Sequence, residues 1–158
     1  MEINIRPARL GDYSGLKRHI FTQSKASDIK KEVSRNLRKM KTGEVVQLVA
    51  ECDGKIIGTC FFSQYESSIC RHRGKIKSFA VAEEFQGRGV GSMLMEHGTR
   101  WLKKKGIKML LLSVRKGTKA EKIYRHMGFK VYGELKNGLK ETWGRQESFD
   151  EIFFYKKI

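Results

Sequence analysis

The sequence predicts a mixed α/β domain over residues 1–158, and three observations support this prediction. Short apolar runs typical of strands alternate along the chain with amphipathic stretches at helical spacing. The dipeptide Asp53-Gly54 between two such runs predicts a tight β-hairpin. A glycine-rich segment at residues 86–91 lies between a strand-like run and a clear helix, which predicts a parallel strand–helix–strand crossover near the centre.

The composition agrees with one ordinary domain. Hydrophobic residues make up 39% of the 158 residues and aromatic residues 10%, which excludes disordered, collagen-like and disulfide-scaffold chains. No apolar run approaches the roughly 18 residues of a membrane span, and no secretory leader is recognisable. We therefore expect a cytoplasmic protein without a membrane partner. The spacing of Cys52, Cys60 and Cys70 fits neither a zinc site nor a disulfide framework, so we expect no metal and buried, apolar roles for Cys52 and Cys60.

The first elements are predicted as a short strand at residues 3–6, closed by Pro7, and two helices. The first helix runs from Asp12, its expected N-cap, to Ser24. The second helix is more polar, is capped by Ser27 and ends at Gly43. Each helix has one apolar stripe: Tyr13, Leu16, Ile20 and Phe21 in the first, and Ile29, Val33, Leu37 and Met40 in the second.

The remaining elements follow from the change of period. In chain order they are strands at 45–52, 56–65 and 76–82, a helix at 90–105, a buried central strand at 109–114, a helix capped by Thr118 and ended by Gly128, and strands at 130–135 and 151–157. A polar loop containing Trp143 is predicted between the last two strands. The predicted order is β-α-α-β-β-β-α-β-α-β-β.

Positive charge is spread evenly along the chain. The 33 Lys and Arg residues outnumber the 17 Asp and Glu residues, for a net charge of +16. Residues 1–52, 53–110 and 111–158 each carry eleven basic side chains against five or six acidic ones. Such a charge attracts polyanions in a salt-dependent manner, but it does not distinguish a nucleic acid from a phosphorylated cofactor.

The glycine cluster is the sharpest feature of the sequence. Gly87, Gly89 and Gly91 come between a strand and a helix, where glycine lets the backbone approach a ligand and turn its N–H groups outward. Together with the unpaired N–H groups of the helix start, they would form a pyrophosphate site. Glycine spacing alone favours equally a tight turn without a ligand. A Walker loop would need Lys-Ser/Thr after the last glycine, and a dinucleotide fingerprint would open the fold.

A second motif is Ala120-x-x-x-Tyr124-x-x-x-Gly128-Phe129. On a helix, Ala120 and Tyr124 share one face, and Gly128 ends the helix. Tyr124 is a candidate proton donor, because a phenol is neutral at pH 7. The alternative is a core aromatic residue whose hydroxyl is hydrogen-bonded.

Together the two motifs resemble the GNAT superfamily of acyl-CoA-dependent N-acetyltransferases. Residues 86–91, QGRGVG, match the family's Gln/Arg-x-x-Gly-x-Gly/Ala motif after a strand ending Phe79-Ala80-Val81, and Tyr124 matches its Tyr-x-x-x-Gly-Phe segment. The order of elements fits along essentially the whole chain. The resemblance implies a GNAT-like fold with a central, mixed, mostly antiparallel sheet of six to seven strands and about four helices.

The resemblance also implies acetyl-CoA as cofactor and direct attack on its thioester by a primary amine. The pyrophosphate would lie on the loop N–H groups, the pantetheine arm between strands 76–82 and 109–114, and the thioester carbonyl on the Val81 N–H. Tyr124 would protonate the departing thiolate. The implied catalytic residues are Tyr124 and Val81, and the implied cofactor-binding residues are Phe79, Ala80, Val81, Gln86, Gly87, Arg88, Gly89, Val90, Gly91, Ser92 and Thr118.

Other parts of the site stay open at this point. Many family members have an asparagine where this chain has Gly117, so Thr118 is the candidate replacement. A general base is expected, because an amine with a pKa near 10.4 is protonated at pH 7. Glu83, Glu84, Glu66 and His72 are weak candidates for that base. One or two of four basic residues are expected at the CoA 3′-phosphate: Lys116, Lys119, Lys122 and Arg125.

The acceptor is an amine of unknown identity on a small molecule, peptide or protein. Positive charge disfavours polyamines and aminoglycosides, and it fits an acidic protein or peptide terminus, an amino acid, or aminoacyl-tRNA. Residues 71–73, RHR, are predicted on a loop before the strand at 76–82, which makes them a candidate contact of the acceptor as an alternative to the cofactor phosphate. The alternatives are a basic nucleic-acid-binding module and a GNAT-like fold that binds CoA without turnover. A homodimer is also compatible with the sequence.

Overall fold

The computed structural model describes residues 1–142 and 144–158, so the predicted loop residue Trp143 lies outside the described residues. Over these ranges the chain forms seven strands and four α-helices in the predicted order. The strands are β1 Asn4–Pro7, β2 Val45–Cys52, β3 Lys55–Gln64, β4 Arg73–Val81, β5 Met109–Arg115, β6 Lys130–Lys140 and β7 Ser148–Lys157. The helices are α1 Asp12–His19, α2 Ala26–Met40, α3 Val90–Lys103 and α4 Lys119–His126.

All seven strands join one sheet in the order β1-β2-β3-β4-β5-β7-β6. Only β4 and β5 are parallel, and α3 makes the crossover between them. The mixed, mostly antiparallel sheet is therefore confirmed. Asp53 and Gly54 have φ angles of 48° and 75°, the left-handed values of a two-residue hairpin turn, which confirms the predicted β2–β3 hairpin.

The parallel pair is short, and this shapes the centre of the molecule. Arg73, Gly74 and Lys75 pair with Met109, Leu110 and Leu111, and no further residue pairs join these two strands in the described chain. Both strands continue, β4 to Val81 and β5 to Arg115, so a gap opens between their carboxyl ends. A bulge near Ser78, whose φ is 52°, interrupts the pairing of β4 with β3 beside that gap.

Two hydrophobic clusters lie on opposite faces of the sheet. The larger one joins the sheet to α3 and α4 and includes Phe62, Leu94, Leu102, Leu110 and Phe154, each fully buried. The buried Cys52 and Cys60 belong to it, as expected for small apolar side chains. Among the described residues, no helix is both long and apolar enough to cross a membrane.

The smaller cluster lies between α1, α2 and the β2–β3 hairpin. Leu16, Ile29, Val33 and Val49 are buried there, which confirms the first predicted apolar stripe and three residues of the second. The fourth residue of the second stripe, Met40, packs against the larger cluster. Ile20 and Phe21 also pack against this cluster although α1 already ends at His19 and not at Ser24. Their helical spacing therefore reflects a shared apolar neighbourhood beyond the last helical turn.

Both predicted N-caps in this region are wrong. Gly11 precedes α1 and Lys25 precedes α2, and neither cap residue makes a side-chain capping hydrogen bond. The Asp12 carboxylate instead accepts hydrogen bonds from the Arg9 N–H at 2.7 Å and from the Arg6 guanidinium. The Asp12 side chain, predicted to cap α1, therefore takes part in a tertiary ion pair with Arg6 instead.

Arg6 ties three elements together. Its guanidinium donates two hydrogen bonds of 2.8 Å to Asp12 on α1 and others to Glu51 on β2, while its own backbone lies in β1. Burial would raise the pKa of Asp12, but the hydrogen bonds from Arg6 and Arg9 and the Arg6 charge outweigh it and hold that pKa below its ordinary value. The ion pair therefore stabilises the fold when Asp12 is ionised.

Asp12→Asn is expected to lower the free energy of unfolding at pH 7 by about 1–3 kcal/mol. The native pKa of Asp12 is depressed, so its contribution is complete above about pH 4 and is lost as the pH falls further. Urea unfolding at pH 7 and pH 3 should show that the variant and the wild type converge in acid. Glu96→Gln, which breaks an exposed pair with Arg100, is the control and should cost at most about 0.5 kcal/mol. An equal loss at both pH values would contradict this account.

Gly98→Ala is expected to destabilise the protein by about 1–3 kcal/mol or more, because a Cβ at this position would lie 2.0 Å from the ring of buried Phe62. Gly11→Ala is the matched control, since nothing lies within 4 Å of a Cβ there and its φ of −61° suits alanine. Denaturant unfolding of both variants checks the difference. The double variant Gly98→Ala, Phe62→Leu should recover part of the loss, and no recovery would mean that the clash is not its cause.

Candidate active site

The loop before α3 turns its backbone outward. Gly87 and Gly89 have φ angles of 74° and 82°, left-handed values that glycine adopts without strain. A Cβ at either position would meet no atom within 4 Å, so these glycines serve backbone conformation and leave the space above the loop open. The Gln86 N–H donates to the Glu83 carbonyl at 3.1 Å, so the N–H groups that a ligand could use begin at Gly87 and continue into the free N–H groups of the α3 N-terminus.

Gly91, the third glycine of the motif, has a different function. It lies inside α3, and a Cβ there would be 3.1 Å from the ring of Phe79 on β4 and 3.7 Å from Met127, just after α4. This glycine therefore allows α3, β4 and the end of α4 to meet. The neighbouring Val90 is fully buried and anchors the helix start, while Ser92 lines a groove of about 510 Å³ that also borders Met127.

Gln86 joins the loop to both sides of the gap. Its Nε2 donates a hydrogen bond of 3.1 Å to the Val81 carbonyl at the end of β4. Its Oε1 accepts a hydrogen bond of 2.9 Å from Lys119, the first residue of α4. The side chain thus acts as a strap between strand and helix, a function that the sequence motif alone did not indicate.

The end of β4 presents free backbone to the gap. The Ala82 N–H donates to the Ile57 carbonyl of β3 at 2.9 Å, and Ala80 pairs with Thr59 of the same strand. Because successive N–H groups of a strand point in opposite directions, the Val81 N–H is directed toward β5. At this level β5 has already separated from β4, so the half-buried Phe79–Val81 segment borders the gap.

Tyr124 lies at the same gap, on α4, and only 6% of its surface is exposed. Its ring centroid is 5.8 Å from that of Phe79, 5.6 Å from that of Phe129 and 6.3 Å from that of Phe154. Burial in this aromatic surrounding, with a smaller effect of Cys60, raises the pKa of the Tyr124 phenol above its ordinary value. The phenol therefore keeps its proton throughout the physiological range.

The remaining predicted cofactor residues have other contacts. Thr118 precedes α4 as predicted, but its hydroxyl donates to the Arg115 carbonyl at 2.8 Å, so it has only acceptor capacity left. Arg88 is exposed with its guanidinium over the Phe85 ring. Of the basic residues around α4, Lys116 pairs with Glu134 and Arg125 with Glu121, which leaves Lys119 and Lys122 outside the ion pairs found in the described residues.

The weak base candidates are all on the surface. Glu83 and Glu84 are exposed in the turn after β4, and Glu66 and His72 are exposed in the segment before it. The 71–73 segment is not a single loop, because Arg73 already begins β4 and Arg71 pairs with Glu44 at 3.2 Å. Within the described ranges, no group of three or more His, Cys, Asp or Glu side chains could hold a metal ion.

Solved acetyltransferase structures share this fold. The ribosomal-protein-alanine N-acetyltransferase of Brucella melitensis superimposes with a TM-score of 0.79 at 20% identity, covering 98% of this chain and 99% of that one. The Salmonella typhimurium yncA structure, solved with its cofactor acetyl-CoA, gives a TM-score of 0.80 at 17% identity over 98% and 93% of the two chains. The split sheet and glycine loop are thus set in the fold of an acetyltransferase.

The family follows from sequence. The model of the Acetyltransferase (GNAT) family matches residues 16–129, and the chain belongs to this family. An uncharacterized N-acetyltransferase of Chlorobaculum tepidum is 28% identical over 130 residues, which are 80% of this chain and 74% of that protein. The predicted resemblance is confirmed, and the protein is an acyltransferase.

Proposed function

We propose that this protein transfers the acetyl group of acetyl-CoA to a primary amine by direct attack. The observation that supports this most is the outward-turned backbone loop at Gly87 and Gly89, placed beside a gap between two strands that also borders a buried phenol, Tyr124. Open space alone does not set these glycines apart, because a Cβ at Gly54 in the β2–β3 hairpin would meet no atom within 4 Å either; the position of the loop beside the gap and Tyr124 does.

The residues present suit the three parts of CoA. The pyrophosphate fits the N–H groups of residues 87–92 at the positive end of the α3 dipole, since the Gln86 N–H already donates to the Glu83 carbonyl. The pantetheine arm is a chain of amides, and the unpaired edge of β4 at Phe79–Val81 offers it hydrogen-bonding partners. Lys119 and Lys122 near the start of α4 are the candidates for the 3′-phosphate, because the two other basic residues predicted there are already ion-paired.

Acetyl-CoA supplies the acetyl group as a thioester, and the chain supplies orientation and a proton. The Val81 N–H polarises the thioester carbonyl as an oxyanion hole does. The amine nitrogen forms the new C–N bond while the C–S bond breaks, and the Tyr124 phenol gives its proton to the leaving sulfur. The amine must lose one proton in the same turnover, which leaves through a base or water.

A nucleic-acid acceptor such as aminoacyl-tRNA is the second candidate, favoured by the net charge of +16. A basic module that binds nucleic acid without catalysis would leave the glycine loop and Tyr124 unexplained. Cytoplasmic location and a homodimer are part of the proposal as well, and native mass measurement in solution tests the second.

Gly89→Ala is expected to weaken acetyl-CoA binding at least tenfold, because alanine disfavours the φ of 82° and its methyl group enters the space above the loop. Calorimetric titration with acetyl-CoA measures the loss. Gly54→Ala is the matched control, with a φ of 75° and equally open space in a remote hairpin. Both variants should lose about 1–2 kcal/mol of stability, and only Gly89→Ala should lose the cofactor.

Thermal unfolding of the wild type with and without acetyl-CoA tests the cofactor itself. Acetyl-CoA at about 100 times its Kd should stabilise the protein by roughly 2.7 kcal/mol, while ATP serves as a polyanion control. Equal stabilisation by ATP that fades as salt rises would show that charge alone binds, and it would overturn the proposed cofactor site.

Tyr124→Phe is expected to lower kcat about 100-fold while acetyl-CoA affinity stays within threefold, because the substitution removes the proton and keeps the buried ring. Steady-state release of free CoA thiol measures kcat, and titration measures affinity. Tyr13→Phe on α1 is the control and should leave both unchanged. An unchanged kcat in Tyr124→Phe would rule out its function as proton donor.

A further inference from the structure

The face of the sheet opposite α3 and α4 is covered over only half of its width. Helices α1 and α2 pack mainly on β2 and β3. On β4, β5 and β7 the buried Ile76, Leu110 and Phe154 point toward α3 and α4, so their neighbours in each strand point the other way. We call this second half the open face, and its residues include Tyr65, Arg73, Lys75, Lys77, Leu111, Ser113, Arg115, Tyr132, Glu151, Phe153, Tyr155 and Lys157.

Aromatic rings lie along the β6–β7 side of the open face. The Tyr132 ring centroid lies 6.0 Å from those of both Phe153 and Tyr155, and 54% of Tyr132 is exposed. Burial and the nearby Tyr132 raise the pKa of Tyr65, while the Arg73 charge opposes this shift. Tyr65 follows β3 and Tyr132 lies on β6, so the two tyrosines mark opposite edges of the open face.

Three cations line one side of the open face. Arg73, Lys75 and Lys77 alternate along β4, and none forms an ion pair with another described residue. The Lys75 ammonium lies 4.3 Å from the Tyr65 ring centroid, and that of Lys77 lies 4.4 Å from the ring centroid of Phe61. Arg73 Nε is buried without a hydrogen-bond partner, which in the described part of the chain is true of no other side-chain nitrogen or oxygen. An unpartnered guanidinium nitrogen favours an anionic ligand.

A carboxylate lies on the opposite side, next to the gap. Glu151 on β7 is opposite Arg115, at the end of β5 that has separated from β4. Glu151 is half-buried and accepts a hydrogen bond from the Ser113 hydroxyl on the same face. The open face therefore has a carboxylate on β7 at the end of the sheet where the gap lies, with Arg115 opposite it. The positive row lies on β4, two strands away, and runs from Lys77 near the gap to Arg73.

We propose that the open face binds the amino-terminal segment of an acidic peptide or protein, with the α-amine beside Glu151 and acidic side chains on Arg73, Lys75 and Lys77. This rests on the proposed function, because the amine is placed at the gap where acetyl transfer occurs. Along β4 the row from Lys77 to Arg73 spans four residues, about 13 Å. An extended peptide of about four residues has the same length. Acidic side chains about two to four residues after its amine would therefore lie along the row.

A peptide suits this face better than a nucleic acid. Three of the cations form one row on β4, with Arg115 and Lys157 apart from it, and the amine end carries a carboxylate that repels phosphate. The adjacent tyrosine and phenylalanine rings offer an amphipathic floor of the kind that peptide interfaces use. An aminoacyl-tRNA acceptor becomes one arm of the test.

The test compares two peptides of equal length that differ only at residues three and four, Ala-Gly-Glu-Glu-Gly-Gly and Ala-Gly-Gln-Gln-Gly-Gly. With acetyl-CoA as donor, kcat/KM is expected to be at least tenfold higher for the acidic peptide. The double variant Lys75→Gln, Lys77→Gln should abolish that preference. The matched control Lys103→Gln, Lys104→Gln removes the same charge from the end of α3 and should preserve it. Glu151→Gln should raise KM for both peptides alike, because they share the amine.

Equal kcat/KM for the two peptides, a preference unaffected by the β4 variant, or a higher kcat/KM for aminoacyl-tRNA would overturn the inference. Acetyl-CoA titration of every variant separates the two levels of the argument. If acetyl-CoA binds but the acidic peptide is not preferred, the proposed acceptor class is refuted and the proposed cofactor site is retained. If the wild type does not bind acetyl-CoA, both proposals are refuted.

Discussion

The rest of the site depends on the early separation of two parallel strands. β4 and β5 share three residue pairs and then diverge, so the carboxyl end of β4 keeps backbone groups that a neighbouring strand would otherwise occupy. A buried edge of this kind is stable only if other atoms satisfy it. The Gln86 side-chain amide donates a hydrogen bond to the Val81 carbonyl, and the Val81 N–H remains directed at the gap. The unpaired backbone that is costly for folding is thus what makes the sheet able to hold an extended, amide-containing ligand.

Packing on the helix side keeps the gap open. Phe79, Tyr124, Phe129 and Phe154 form one aromatic group that joins β4 to α4 and β7 across the separated strands. Gly91 lets α3 approach the Phe79 ring, and a larger residue there would push the loop away from β4. The same aromatic group that supports the fold also removes water from Tyr124, so packing and the chemistry of the phenol have a common origin.

Local patterns in the sequence predicted most of the fold, and tertiary contacts account for what they missed. The order of elements, the hairpin at Asp53-Gly54 and the position of Tyr124 follow from short-range spacing. The cap at Asp12 failed because Arg6, brought in by a neighbouring strand, competes for the carboxylate. The bulge at Ser78, the strap by Gln86 and the nearness of Glu151 to the gap depend on strand register, which no local pattern in this chain encodes.

The distribution of charge indicates a class of partner only once the fold shows which basic residues are ion-paired. Along the sequence the excess of basic residues is uniform, so it indicates no particular partner. In the structure, ion pairs neutralise several of these residues, including Lys116 and Arg125 around α4, whereas the row on β4 keeps its charge beside an uncovered aromatic floor. Three unpaired cations in one row act together on a single anionic segment, which scattered charges on a solvated helix do not. Selectivity for an anionic acceptor would therefore arise from where the sheet is left uncovered, and the total charge of the chain would mainly speed encounter.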